Sequence, residues 1–92
     1  MANVTITIPT PLGKFAGHQR LVEANAETLG QSFEVLGKIY PELVQRITTD
    51  EKNLRPFVNV FVERANSRDL AGMATPLVDG QKITIMCAFA GG

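Results

Sequence analysis

Thr28 to Tyr40, TLGQSFEVLGKIY, sets Leu29, Phe33, Leu36 and Tyr40 at steps of four, three and four, the interval that stacks side chains along one face of an α-helix. This is the one long helix the chain predicts, and it carries an apolar stripe that must be buried. On its N-terminal side the period changes to two. Asn3 to Ile8 (NVTITI) places Val4, Ile6 and Ile8 on one face and Thr5 and Thr7 on the other, a half-buried strand that Pro9 and Pro11 end. The following PTPLGKFAGH, with two Pro and two Gly, has no clear period and reads as a loop. Gln19 to Ala24 (QRLVEA) reads as a second strand, returning against the first as a hairpin.

On the C-terminal side, Pro41 cannot continue helical hydrogen bonding but suits the first turn of a new helix. PELVQRI is therefore expected as a short second helix burying Leu43 and Ile47, with TTDEKNLR as a connector. Phe57 to Val62 (FVNVFV) reads as a strand with Val58, Val60 and Val62 inward and Phe57, Asn59 and Phe61 outward. Glu63 to Asp69 is a polar turn region with a short strand expected near Leu70. Asp79-Gly80 is a turn signal before a last strand, Lys82 to Ala88, in which Ile83, Ile85 and Cys87 alternate with Thr84, Met86 and Ala88. The order predicts an α+β domain, a mixed four- to five-stranded sheet covered on one face by one main helix.

Composition narrows the function. Ninety-two residues with 45% hydrophobic and 20% charged side chains fit one soluble domain spanning 1–92. A chain of this size buries roughly 60 to 65% of its unfolded surface, too little to build a deep enclosed catalytic cavity. Nine basic against nine acidic residues lack the electrostatic footprint of a nucleic-acid binder. The single cysteine, Cys87, cannot form an internal disulfide, and the opening MANVTITIP has no signal-peptide pattern, so a cytoplasmic protein is expected. No apolar run approaches the roughly 20 residues of a membrane helix. His18 has no ligand-spaced Cys, Asp or Glu, so no metal site is predicted and an exposed loop position is its plainer reading. Ser32 and Ser67 lie in no G-x-S-x-G elbow, and Gly13, Gly17, Gly30 and Gly37 form neither a dinucleotide fingerprint nor a phosphate loop. The chain should bind no nucleotide or other cofactor itself.

The candidate site is Phe89-Ala90-Gly91-Gly92, which follows the last hydrophobic strand with no charge after Lys82. Lacking a β-carbon, Gly-Gly can pass a narrow channel and bring a carboxylate close to a partner's reactive groups, although a frayed end would look the same. The strand order and the segment ITIMCAFAGG resemble the ubiquitin-like sulfur-carrier proteins. Among these are the small subunit of molybdopterin synthase, the thiamine-pathway carrier, and the carriers of cysteine and thiocarboxylate-siderophore biosynthesis. NVTITIPT, ETLG (Glu27 to Gly30), RPFVNVFV (Arg55 to Val62) and LAGMATPLVDGQKITI (Leu70 to Ile85) extend the likeness along nearly the whole chain, most closely to the cysteine-pathway type.

The resemblance implies a β-grasp fold and a chain with no turnover of its own. A partner related to ubiquitin-activating enzymes would use ATP to adenylate Gly92, and sulfur would displace AMP to leave a thiocarboxylate. A sulfur-accepting enzyme, cysteine-synthase-like or of a siderophore pathway, would take that sulfur. Phe89, Ala90 and Gly91 would thread the partner's channel, and a zinc metalloprotease would remove any residues following Gly-Gly. The alternative is a ubiquitin-like modifier joined to lysine through Gly92. Glu63-Arg64 departs from the family's Asn-Gly or Asn-Asp turn, Cys87 stands where proline is common, and Phe89 replaces a smaller Val.

Phe57, Phe61 and Met86 are expected on the sheet face away from the helix, as an exposed apolar patch of the kind that docks a partner. Arg64, Arg68 and Asp69 read as a solvated turn at its rim. Cys87, inward by alternation, reads as a buried thiol acting as a small hydrophobe rather than as an acceptor of persulfide sulfur.

Overall fold

The computed structural model describes residues 1–49 and 53–87. Strand β1 (Ala2–Thr7) buries Ala2, Val4 and Ile6, and strand β2 (Leu21–Ala26) pairs antiparallel to it from Ala2↔Ala26 to Thr7↔Leu21. The connection between them is ordered, contrary to the loop expected from sequence. Thr10–Ala16 forms a 3-10 helix that buries Leu12 and Ala16, and Gly17, at φ +59°, closes it. Two Pro and two Gly among ten residues read as loop punctuation, which is why the sequence did not reveal it.

Helix α1 (Leu29–Ile39) starts at Thr28, whose Oγ1 accepts the Gln31 amide at 3.2 Å while the Gln31 side chain accepts the Glu27 amide. Two otherwise unpaired donors are thereby satisfied, in a variant of the capping box. Its buried face is Leu29, Ser32, Phe33 and Leu36, and the Ser32 hydroxyl donates to the Leu29 carbonyl at 2.6 Å. Helix α2 (Pro41–Ile47) follows at once and buries Leu43 and Ile47.

The sheet order is β2-β1-β5-β3-β4, with β1 and β5 parallel at its centre and the other pairs antiparallel. Strand β3 (Val58–Val62) turns its three valines inward and pairs with β5 (Lys82–Cys87) from Val58↔Cys87 to Val62↔Ile83. Ile83 and Ile85 complete the core between sheet and helices. Ala88, the last residue of the expected strand, lies outside the described residues.

The short strand near Leu70 is corrected. Strand β4 is Ala65–Asn66, placed beside Phe61 and Val62 by the two-residue turn Glu63-Arg64, and Leu70 is exposed beyond a 3-10 turn at Ser67–Asp69. Glu63 sits at φ +57°, a conformation that costs a non-glycine residue roughly 1–2 kcal/mol. Two bonds offset the cost: its N–H donates to the Lys82 carbonyl at 2.8 Å, and its carboxylate accepts the Lys82 amide at 2.6 Å. These bonds fix the geometry of the Glu63-Arg64 turn. At the same end of the sheet Gly80 adopts φ +88°, and Asp79 Oδ1 accepts the Asn3 amide at 2.8 Å, which ties the turn to β1 and starts β5 in register. Helices on one face of a mixed five-stranded sheet with a parallel central pair make this a β-grasp fold. Among the described residues no helix is long and apolar enough to cross a membrane.

Candidate functional site

Register decides where the last strand delivers the chain. β5 runs parallel to β1 and antiparallel to β3, so its C-terminal end lies with the end of β1, the 3-10 segment that follows it, and the start of β3. Val58↔Cys87 is the final described pair. The candidate residues Phe89, Ala90, Gly91 and Gly92 come after that point and lie outside the described residues.

Cys87 is half-buried and packs against the core, and burial pushes its thiol above its ordinary pKa. Since the thiolate is the nucleophile, such a sulfur is a poor one at neutral pH. The geometry accords with the reading of Cys87 as a small hydrophobe.

The face away from the helices has its own organisation. The pairings Thr7↔Leu21, Thr7↔Thr84 and Phe61↔Thr84 set Leu21, Thr7, Thr84 and Phe61 in one row across four strands. Met86, opposite Asn59, stands diagonal to Phe61 on the same face, near enough for long side chains to meet. Leu21 is 59% and Met86 53% exposed, while Phe61 is half-buried. Leu21 was missed by the sequence reading. Its signal was available, because Leu21 alternates with Glu23 and Asn25 on the outward side of β2 and is the apolar member of that set.

Phe57 departs from its expected place. It precedes β3, in a turn closed by the Val58 amide donating to the Arg55 carbonyl at 2.9 Å, and lines a cleft of about 440 Å³ with Glu42, Gln45, Arg46 and Arg55. Only Phe61 and Met86 of the expected trio stand on the strands of the open face.

Arg68 is exposed in the 3-10 turn Ser67–Asp69, as expected, and its guanidinium is nevertheless committed to backbone acceptors. β4 spans two residues, so among the described residues no strand flanks the outer side of the start of β3, and the Arg68 guanidinium lies there. Its Nη2 donates to the carbonyls of Val58 at 2.7 Å and Arg55 at 3.0 Å, and its Nε to Asn59 Oδ1 at 3.4 Å. Asn66 donates to the same Oδ1 at 3.3 Å. Arg55 in turn reaches the Gln45 carbonyl at 3.0 Å, so the turn carrying Phe57 is held from both sides. His18 is exposed at φ +62°, matching its loop reading, whereas Ser32 and Ser67 are buried and offer no accessible nucleophile. Among the described residues no three of His, Cys, Asp and Glu gather as a metal centre requires.

With this geometry in view, likeness to known proteins can be placed on the chain. A family model described as the ThiS family matches residues 6–92. The sulfur carrier protein CysO of Mycobacterium tuberculosis is 37% identical over 92 residues, covering 98% of this chain and 99% of its own. The crystal structure of the Amycolatopsis orientalis BexX/CysO complex contains a chain 31% identical, with a TM-score of 0.89 over 97% of this chain and 99% of that one. The small archaeal modifier protein 1 of Methanosarcina acetivorans is 28% identical, with a TM-score of 0.84 over 100% of this chain and 98% of that one. Matched over most of its length by the family model and over nearly all of it by CysO, the chain belongs to the ThiS family, the ubiquitin-like sulfur carriers it resembles in sequence.

Proposed function

We propose that this chain is a sulfur carrier whose working group is the carboxylate of Gly92. The observation that carries the reading is the near-full-length likeness to CysO, together with a family-model match that runs to residue 92. In the proposed cycle an activating partner, related to ubiquitin-activating enzymes, binds ATP. A Gly92 carboxylate oxygen attacks the α-phosphorus, pyrophosphate leaves, and an acyl-adenylate results. A sulfur nucleophile then attacks the acyl carbon, and AMP departs with one of the original carboxylate oxygens. The product is a thiocarboxylate whose sulfur can attack an electrophile held by a second enzyme. A cysteine-synthase-like enzyme presenting an activated serine derivative suits the CysO likeness, with a siderophore-pathway enzyme as the other candidate.

The carrier's contribution is recognition and placement. The sheet supplies a rigid body with Leu21, Phe61 and Met86 as docking groups, and residues 89–92 act as the lead into the partner's channel. Holding the reacting group in place can lower a barrier by several kcal/mol, which is what a protein-borne sulfur gains over free sulfide. Acid, base and nucleotide-binding groups belong to the partners, all in the cytoplasm. Where residues follow Gly92 in the primary product, a zinc metalloprotease must first expose its carboxylate.

The test is isotope exchange between pyrophosphate and ATP, catalysed by the activating enzyme. The full chain is expected to support exchange and a chain lacking Gly92 to support none. Exchange that does not depend on Gly92 would refute the site. The likeness to a small archaeal modifier protein favours one second reading, in which a lysine amine rather than sulfur attacks the acyl-adenylate. That reaction yields isopeptide-linked conjugates of higher mass and no thiocarboxylate.

A further inference from the structure

The chain has no net charge, yet the fold does not spread its charges evenly. The end of the sheet where β5 finishes is flanked on one side by the segment after β1 and on the other by the turn before β3. Lys14 and Arg20 line a cleft of about 370 Å³ on the first side, with no carboxylate among its lining residues. Arg46 and Arg55 line a cleft on the second, with Glu42 as its carboxylate, and Arg68, next to Asp69 in the chain, reaches the Arg55 carbonyl beside it. Glu27, Glu63 and Asp79 lie at the opposite end, beside Arg64 and Lys82.

The partners of the five cations matter as much as their positions. Lys14 Nζ and the Arg46 guanidinium lie 5.2 Å and 4.1 Å from the centre of the same ring, Phe15. Arg55 donates to the Gln45 carbonyl, and Arg68 to the carbonyls of Arg55 and Val58 and to the Asn59 side chain. Among the described residues none of the five is paired with a carboxylate. Rings and carbonyls orient a cation without cancelling its charge. Lys14 and Arg46 share one ring, Lys14 and Arg20 one cleft, and Arg46 and Arg55 another, so the described residues at the end of the sheet where β5 finishes project a positive field on both of its sides.

We infer that this end is a basic collar that recognises an acidic protein surface, namely carboxylates around the mouth of the channel on the activating partner. The inference rests on the proposed function for the identity of that partner. A collar set around the root of the tail orients the molecule so that the tail leads. Complementary charge of this kind acts on encounter rate and register more than on final affinity. The open apolar face then supplies the short-range contacts, while the collar supplies direction.

The collar is tested on the full chain by heteronuclear NMR, titrating with hexaglutamate and separately with inorganic pyrophosphate, at low and at physiological salt. Hexaglutamate is expected to shift the amides of residues 13–20, 46 and 55 saturably, with binding roughly 10-fold weaker at the higher salt. The double variant Lys14→Glu/Arg20→Glu, both positions being exposed, should keep its spectral dispersion and lose most of the binding. Shifts that are absent, or as large around Glu27 and Asp79, would overturn the collar. So would shifts with pyrophosphate and none with hexaglutamate, which would make it a small-anion site. The titration requires no activation of Gly92, so its failure leaves adenylation standing, and failure of adenylation leaves the titration interpretable.

Discussion

Replacing Arg68 by alanine removes the group that stands in for a missing strand. The guanidinium donates to the Val58 and Arg55 carbonyls at 2.7 and 3.0 Å, the first of these partly buried, and touches Asn59 at 3.4 Å. A hydrogen bond to a charged group contributes about 1.5–3 kcal/mol when well sheltered. Arg68 is itself exposed, and solvent screening reduces charge-based contributions of this kind. A total loss of about 1–2 kcal/mol is expected, equivalent to a fall in Tm of roughly 4–16 °C for a domain of this size. Urea unfolding followed by circular dichroism measures it, and hydrogen exchange should show faster opening at the start of β3, opposite Cys87. The effect belongs to the planar fork, which reaches three acceptors at once, rather than to charge, so Arg68→Lys should lose nearly as much. Stability within about 0.3 kcal/mol of the wild type for Arg68→Ala, or full retention in Arg68→Lys, would refute the reasoning.

Gly37→Ala should raise stability by about 0.5–1 kcal/mol, because the added carbon meets nothing closer than Val44 Cγ2 at 3.6 Å and alanine suits a helix interior better; a lower urea midpoint would count against it. Ile85→Ala, at a position 2% exposed on a central strand, should cost about 2–5 kcal/mol in the same assay. Since burial raises the Cys87 thiol, the fraction present as thiolate at a given pH is below that of a free cysteine, and alkylation by iodoacetamide should reach half its limiting rate at a higher pH than in an unfolded control; rapid labelling at neutral pH would contradict this. Leu21→Asp combined with Met86→Asp should leave the melting temperature nearly unchanged and raise KM with the activating enzyme by roughly 10-fold, the scale of a modest interface contact. An unchanged KM would remove the open face from the docking surface.

The elements most legible in the sequence are those whose side chains repeat at a single period. Val4-Ile6-Ile8, Val58-Val60-Val62 and Leu29-Phe33-Leu36 each declare one buried face, and the structure places all of them in the core. The missed features depend on distances the period does not carry. Leu12 and Ala16 are buried by a short 3-10 helix set among two Pro and two Gly that read as a loop. β4 is set by the Glu63-Arg64 turn, whose left-handed residue is a glutamate held by Lys82 rather than the glycine or asparagine that marks such turns. Arg68 looked like one charge in a polar loop because its acceptors, Val58 and Arg55, are backbone carbonyls 10 and 13 residues away. Of the candidate site, the Gly-Gly tail lies outside the described residues and rests on family resemblance. The collar was not legible in the sequence, since nine positive and nine negative charges cancel over the whole chain and its five cations, spread from residue 14 to residue 68, are brought to one end by the fold.

The most direct measurement is the intact mass of the chain after incubation with ATP, a sulfide source and the activating enzyme, beside a chain lacking Gly92. A sulfur carrier predicts a mass increment equal to one oxygen exchanged for sulfur, confined to the full chain and removed by a thiol-reactive reagent. Isopeptide-linked conjugates with no such increment, or no change at all in a chain that is folded and engaged by the enzyme, would contradict the account.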